Sequence, residues 1–187
     1  MRSLFSVLAV SCAFAQNPLV FENKLVRVVK AANVPTQKSR PHVHLVNRVM
    51  VHLDKGTMQI VNMETGPRDI PFTAGQVRWD PKVGLHTSEN IGGTAFRIVE
   101  IEMQNEPPTI SKLARAPKFA KFDMENAQVR VLRVPVKARS ESKAFSTGVP
   151  QVVVRLSDGH TEWREKGKQS YRNDSDAAVE FVIVEVK

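Results

Sequence analysis

The stretch PHVHLVNRVMVHLDKG, residues 41–56, opens on a proline, sets two histidines two positions apart and then alternates valines with larger residues up to an Asp-Lys-Gly turn. Side chains at i and i+2 of a β-strand leave the same face. His42 and His44 therefore present two imidazoles to one point, while Arg48, Met50 and His52 share a face opposite Val49 and Val51. Two imidazoles so placed are either half of a metal site or two rings on the exposed side of a strand, and the pair by itself does not choose. His52 could serve as an auxiliary ligand or proton carrier, but a ring hydrogen-bonded within the sheet is the simpler reading. His160, in SDGHTEW, falls in a hairpin and is expected to be exposed.

Outward from this stretch, strand patterns dominate. LVFENKLVRVVKA, TMQIVNM, AFRIVEIEM, AQVRVLRVPV, PQVVVRLS and VEFVIVEVK are rich in Val, Ile and Phe and are bounded by Gly, Pro, Asn or Asp. Helix patterns are nearly absent. The best candidate is a turn or two around SKLARA, residues 111–116, within a proline-containing segment, 105–119, that reads as a connector.

The two sides of that connector resemble each other. FENKLVRVVKAANVP matches FDMENAQVRVLRVPV, VMVHLDKG from Val49 matches VVVRLSDG from Val152, and ENIGGTAFRIVEIEM matches RNDSDAAVEFVIVEVK, in the same order. Asn90 and Glu102 are twelve residues apart, as are Asn173 and Glu185. Two related β-units in tandem explain this better than one irregular sheet. Because Glu102 recurs as Glu185 in a half that lacks the histidines, it reads as structural. Glu89, beside His86, is a weak candidate for a site carboxylate.

The N-terminal stretch does not read as part of either unit. Arg2 precedes an apolar run, Leu4 to Ala15, that ends Ala13-Phe14-Ala15 before Gln16, the small-x-small pattern of a cleaved export signal. A buried N-terminal strand or helix, or a lipoprotein signal using Cys12, are the weaker alternatives. Cleavage after Ala15 leaves 172 residues without cysteine, so disulfides and thiol nucleophiles are excluded and any metal ligands must be His or carboxylate. An exported protein that is periplasmic or secreted is the expectation. No later segment is long and apolar enough to span a bilayer.

The formal charge of +8 becomes +7 once Arg2 is removed. Basic residues cluster in KSRPH, KLARAPKFAKF and VRVLRVPVKARSESK, which suits anionic envelope polymers or an acidic ligand. Nucleic acid is not an expected partner, because the clusters alternate with strand valines and aromatics are few. A glycine-rich phosphate loop, a Gly-x-Ser-x-Gly elbow and a His-Glu-x-x-His pair are all missing.

GQVRWDPKVGLHTSEN, Gly75 to Asn90, resembles the second conserved motif of the cupin superfamily: a Gly, five residues, a Pro, a following Gly, a His, and an Asn four residues on. Here these are Gly75, Pro81, Gly84, His86 and Asn90, with one extra residue between Pro81 and Gly84. His42, His44 and Gly56 fit the first cupin motif, a His-x-His followed by a carboxylate and a hairpin glycine. The resemblance covers residues 21–103 directly and the rest through the repeat. It implies an all-β fold, the double-stranded β-helix or jelly-roll barrel, in two tandem units. It divides the chain into a signal (1–15), a unit with the histidines (16–104), a linker (105–119) and a degenerate second unit (120–187).

The resemblance also implies that His86 joins His42 and His44 to hold one divalent transition metal, Zn, Fe or Cu. Where cupins carry the ligating carboxylate, this chain has Arg48 or Val49, depending on the loop spacing. Neither binds a cation, and an inward Arg48 would repel one. In the second unit, Phe145, Thr147 and Gln169 stand at the positions of His42, His44 and His86. That unit is expected to pack against the first or to supply a homodimer face. Arg48 and Arg78 are candidates to receive an anionic group of a small-molecule ligand. The sequence leaves open an enzyme such as a dioxygenase or isomerase, a non-catalytic binding module, and an envelope protein with vestigial histidines.

Overall fold

The computed structural model describes residues 17–104 and 113–187. The export segment lies outside the described residues, as do residues 105–112 of the connector. Of the helical candidate around SKLARA, the described part, Leu113 to Ala116, is irregular, and no helix forms anywhere in the described residues. Proline at 117 is the physical reason, since it disfavours helical backbone in the residue before it. Among these residues no helix is long and apolar enough to cross a membrane.

The chain runs through β1 (Leu19–Glu22), β2 (Val26–Asn33), β3 (His42–His44), β4 (Arg48–His52), β5 (Gly56–Asn62), β6 (Gly66–Phe72), β7 (Val77–Asp80), β8 (Val83–Asn90) and β9 (Phe96–Met103). It continues through β10 (Lys121–Glu125), β11 (Val129–Val136), β12 (Ser140–Glu141), β13 (Phe145–Thr147), β14 (Gln151–Arg155), β15 (Thr161–Arg164), β16 (Gly167–Gln169), β17 (Arg172–Asn173) and β18 (Val179–Val186). The first nine strands form a five-stranded sheet, β1-β2-β9-β4-β7, and a four-stranded sheet, β3-β8-β5-β6. The remaining strands repeat the five-stranded sheet as β10-β11-β18-β14-β15 and add the pairs β12-β17 and β13-β16.

The repeat holds at the level of register. β2 pairs with β9 over eight residues and β11 with β18 over eight. Trp79 lies opposite Val49 as Trp163 lies opposite Val152. Arg27 bonds Glu102 across the ladder at 2.9 Å, and Arg130 makes the same bond to Glu185. A cross-strand ion pair present in both units accounts for the recurring glutamate, which is structural. Buried Asn90 donates to the carbonyls of Asn33 and Thr94 and accepts from the Gly92 amide; Asn173 donates to those of Val136, Lys137 and Ala177 and accepts from Ser175. One asparagine thus closes the turn between two strands in each unit. One difference is large: five residues, 156–160, join β14 to β15, whereas β4 and β7 are separated by the whole β5–β6 hairpin.

The two five-stranded sheets pack face to face. Val26, Val28, Val49, Val51, Val99, Ile101 and Met103 of the first meet Val129, Val131, Val152, Val154, Val182, Val184 and Val186 of the second in one buried cluster. Both apolar faces are therefore spent between the units, and the opposite faces line the barrels. Two glycines are required by geometry. Gly75 takes φ +78° in the turn before β7, where its amide bonds His52 O at 2.7 Å and Arg133 of the second unit donates to its carbonyl. A Cβ at Gly56 would stand 2.7 Å from the Phe96 ring and 2.8 Å from that of Phe72.

That Phe72–Phe96 pair belongs to a small core of the first barrel with Ala31, Met50 and Ile98. His52 joins it, facing inward, with its ring centroid 4.1 Å from that of Phe72 and Nδ1–H donated to Gln76 O at 3.1 Å. Burial is the main cause that holds its pKa down to about 4, opposed by the Gln76 bond. His160, by contrast, is exposed between β14 and β15.

Ile101→Ala removes a fully buried side chain from the shared cluster and should cost about 2–5 kcal/mol. Because that cluster draws on both units, urea unfolding followed through Trp79 alone (Trp163→Phe) and Trp163 alone (Trp79→Phe) should give the same transition in the Ile101→Ala background; a Trp163 signal unmoved by the substitution would show that the units unfold independently. His52 makes a second prediction. Its folded pKa is depressed below the unfolded value, so the unfolded chain binds more protons as pH falls from about 6.5 to 4. Stability is then lost across that window by up to about 3 kcal/mol. His52→Phe should flatten this part of the metal-free stability profile relative to the parent, as measured by denaturation at a series of pH values.

Candidate metal centre

β3 and β8 are neighbours, and their register sets His42 directly across from His86. His44 lies two residues along β3 on the same face. One ring nitrogen from each of His42, His44 and His86 falls within 4.8 Å of the others. The rings meet edge-on or tilted, with centroids 4.3–5.1 Å apart.

Hydrogen bonds fix the tautomers. His42 Nδ1 lies 2.8 Å from Arg40 O, and His86 Nδ1 lies 2.8 Å from Gly84 O. A carbonyl only accepts, so each Nδ1 carries a proton, and in the neutral ring Nε2 is the nitrogen with the lone pair. His44 Nε2 lies 2.8 Å from a terminal nitrogen of Arg48, which only donates, so His44 Nε2 is likewise the lone-pair nitrogen. Carbonyl-fixed Nδ1–H groups are the outer bonds that orient metal-binding imidazoles.

Burial favours the neutral form of two of the rings, His44 and His86. Burial is the largest cause depressing the His44 pKa, to about 3, with the Arg48 guanidinium next. His86 is also lowered, first by burial and then, against the Gly84 bond, by the charges nearby. Neutral imidazole is the form that ligates. The donor set therefore fits a borderline divalent ion. Nitrogens that share one Zn(II) at about 2.1 Å stand roughly 3.4 Å apart, so the triad as it stands has to tighten.

Arg48, not Val49, occupies the carboxylate position of the motif. Val49 is fully buried on the opposite face in the cluster between the units. Arg48 is 6% exposed and points at the histidines. It donates to His44 and, at 3.2 Å, to Glu100, and it lies 3.7 Å from Asp80; its Nε is buried with no partner. Glu100, opposite Met50 on β9, also accepts from Asn17. Burial pushes its carboxyl up from the usual range, against the pull of Arg48.

A cavity of about 290 Å³ opens beside His86. Arg48, Arg78 and Asp80 line one side, the apolar Ile60, Ile70 and Val83 line it further, and Arg68 and Lys82 are exposed at its rim. Arg78 is held at 2.9 Å by Asp80.

The structure thus brings together His42, His44, His86, Arg48 and Arg78, and sets His52 apart. Glu89 points away from His86 and pairs with Lys38. Glu100 and Asp80, the acidic partners of Arg48, were not among the sequence candidates. The alternation of Glu100 and Glu102 with Val99 and Ile101 was the available signal, but it does not say which face lines the barrel. In the second unit Phe145 pairs with Gln169 as His42 pairs with His86, and Thr147 follows on the same face, so none of the three imidazoles is reproduced.

No family model and no curated protein matches this sequence. Solved structures do. AerE from Microcystis aeruginosa superposes with a TM-score of 0.62 at 10% identity, over 91% of this chain and 97% of its own. A cupin 2 conserved barrel domain protein from Leptotrichia buccalis gives 0.53 at 10% identity, over 92% and 88%. Oxalate decarboxylase from Bacillus subtilis, an enzyme with Mn(II) centres, gives 0.59 at 8% identity, over 87% and 69%. These likenesses, with the paired sheets and the repeated register, show the fold: two jelly-roll units in tandem, of the kind seen in cupin structures, with the histidines in the first.

Proposed function

We propose that the chain binds one divalent transition-metal ion through His42, His44 and His86, and that the adjoining cavity receives a small anionic molecule. The observation that carries the reading is the convergence of three imidazoles, two of them with Nδ1–H committed to backbone carbonyls so that Nε2 is the nitrogen facing an ion. Oxalate decarboxylase offers a precedent for a divalent ion in this fold. With arginine in place of the motif's carboxylate, the remaining all-nitrogen set suits Zn(II), Fe(II) or Cu(II) better than a harder ion. A bound ion there supplies Lewis-acid polarisation of an oxygen or activation of water. Arg48 and Arg78 contribute positive charge to the cavity wall.

A second reading has its own support. Arg48 bonded to His44 is what a vestigial site would retain, and it favours a non-catalytic ligand-binding or envelope protein. We also propose export to the periplasm or beyond, on the strength of the apolar run Leu4 to Ala15 and its small-x-small end.

Elemental analysis of untagged protein, before and after reconstitution with Zn(II), Fe(II) or Cu(II), separates the two readings. Up to one ion per chain is expected, lost in a His42→Ala/His86→Ala double variant whose fold is checked by circular dichroism. Absence of metal from the parent after reconstitution leaves the vestigial reading.

A further inference from the structure

Arg48 holds an unusual position for a buried cation. Its terminal nitrogen donates to the lone pair of His44 that a metal would need, and the same nitrogen reaches Glu100. Its other terminal nitrogen lies 3.7 Å from Asp80, too long for a good hydrogen bond, and Asp80 is already engaged by Arg78. Its Nε has no partner. A metal ion and this guanidinium therefore compete for one nitrogen, and among the described residues a guanidinium released from His44 has no other good acceptor besides Glu100.

The cavity offers the missing acceptor's place. Arg48 lines it with Arg78, and Arg68 and Lys82 stand at its rim, their side chains without a hydrogen bond or ion pair among the described residues. Four cations against the single acidic group Asp80 leave the lining with an excess positive charge of three. Ile60, Ile70 and Val83 supply apolar surface between them. Such a lining suits a small organic dianion with a short hydrocarbon centre, whose carboxylates take charge-assisted hydrogen bonds from arginine. The wall that carries Ile60, Arg68 and Ile70 is the β5–β6 hairpin, the element the second unit lacks.

We infer that this cavity is a dicarboxylate site coupled to the metal centre through Arg48: a bound carboxylate accepts the guanidinium, frees His44 for the metal, and so makes anion and metal bind cooperatively. The inference rests on the proposed metal reading. Linkage makes the effect reciprocal, so the metal tightens the anion by the same factor.

Succinate is a suitable probe, and titration calorimetry of Zn(II) into metal-free protein the measurement. Saturating succinate should tighten Zn(II) by about tenfold, within the range of ordinary allosteric couplings. Succinate that merely chelated Zn(II) in solution would weaken the apparent affinity, the opposite sign. In an Arg48→Met/Glu100→Gln variant, which removes both buried charges together, Zn(II) should bind without succinate about as tightly as it binds the parent with it, and succinate should add nothing. An Arg68→Met/Lys82→Met variant, altered only at the exposed rim, should lose most of the enhancement, read as the ratio of its Zn(II) affinities with and without succinate. Equal enhancement in the Arg48→Met/Glu100→Gln variant and the parent means that the anion ligates the metal directly and overturns the inference, as does Zn(II) binding indifferent to succinate. No Zn(II) binding to any of the proteins, with or without succinate, overturns the metal reading and the inference with it.

Discussion

The contact on which the rest of the molecule depends is the one between the two five-stranded sheets. A sheet has two faces, and in each unit the valine-rich one is pressed against the other unit, with Val49, Val99 and Ile101 meeting Val152, Val182 and Val184. Apolar burial of this extent is the dominant favourable term in folding. Committing it to the joint between the units leaves each barrel to be filled from the opposite faces. In the first unit those faces carry Arg27, Glu102, Arg48, Glu100 and Asp80, and charge can stay inside the barrel because Arg27 pairs with Glu102 and Arg48 with Glu100.

The second unit shows what happens when that charged layer is replaced. At the register positions of Arg48, Asp80 and Glu100 stand Gln151, Arg164 and Ile183. Leu132, Val134, Val153, Phe181 and Ile183 form its core with the fully buried Tyr171, and the Tyr171 hydroxyl is tied to Gln151 at 2.7 Å. Phe145 and Phe119 pack edge to face at the end where the first unit has its histidines. Loss of the β5–β6 hairpin removes the wall on which a cavity would depend. The second unit is thus a filled barrel that packs against the first unit's sheet, and among its polar groups the Arg130–Glu185 pair and the Asn173 turn repeat the first unit's pattern.

Much of this was legible in the sequence because the informative features were local. His42 and His44 are two apart on one strand, Asn90 and Asn173 close equivalent turns, and VMVHLDKG and VVVRLSDG fix the repeat; each signal depends on spacing along the chain alone. The role of Glu100 was not legible, because it depends on which face of β9 looks inward. Alternation of Val99, Glu100, Ile101 and Glu102 marks two faces without saying which is the barrel side. A sheet covered on both faces breaks the usual link between apolar and inward. The choice between Arg48 and Val49 stayed open on the same ground: a one-residue difference in loop spacing reverses every side chain, and pairing with β9 resolves it for Arg48.

Seen from the lumen, the affinity that the three histidines would have for an ion depends on what else can occupy their lone pairs. A proton is the usual competitor for a histidine ligand. Here burial and the neighbouring guanidinium hold His44 near pKa 3, so protons compete poorly over most of the pH range. The effective competitor at His44 is the N–H of Arg48, a donor that never loses its proton under ordinary conditions. A site blocked by a proton opens as pH rises, whereas one blocked by an arginine opens only when something else accepts the arginine. Among the described residues Glu100 is already engaged and Asp80 is shared with Arg78, so on the reading proposed above the acceptor is an anion that enters through the cavity. For a metal held as proposed, Arg48 thus makes control of the site anion-linked where a proton would have made it pH-linked, and does not of itself make the three imidazoles inert.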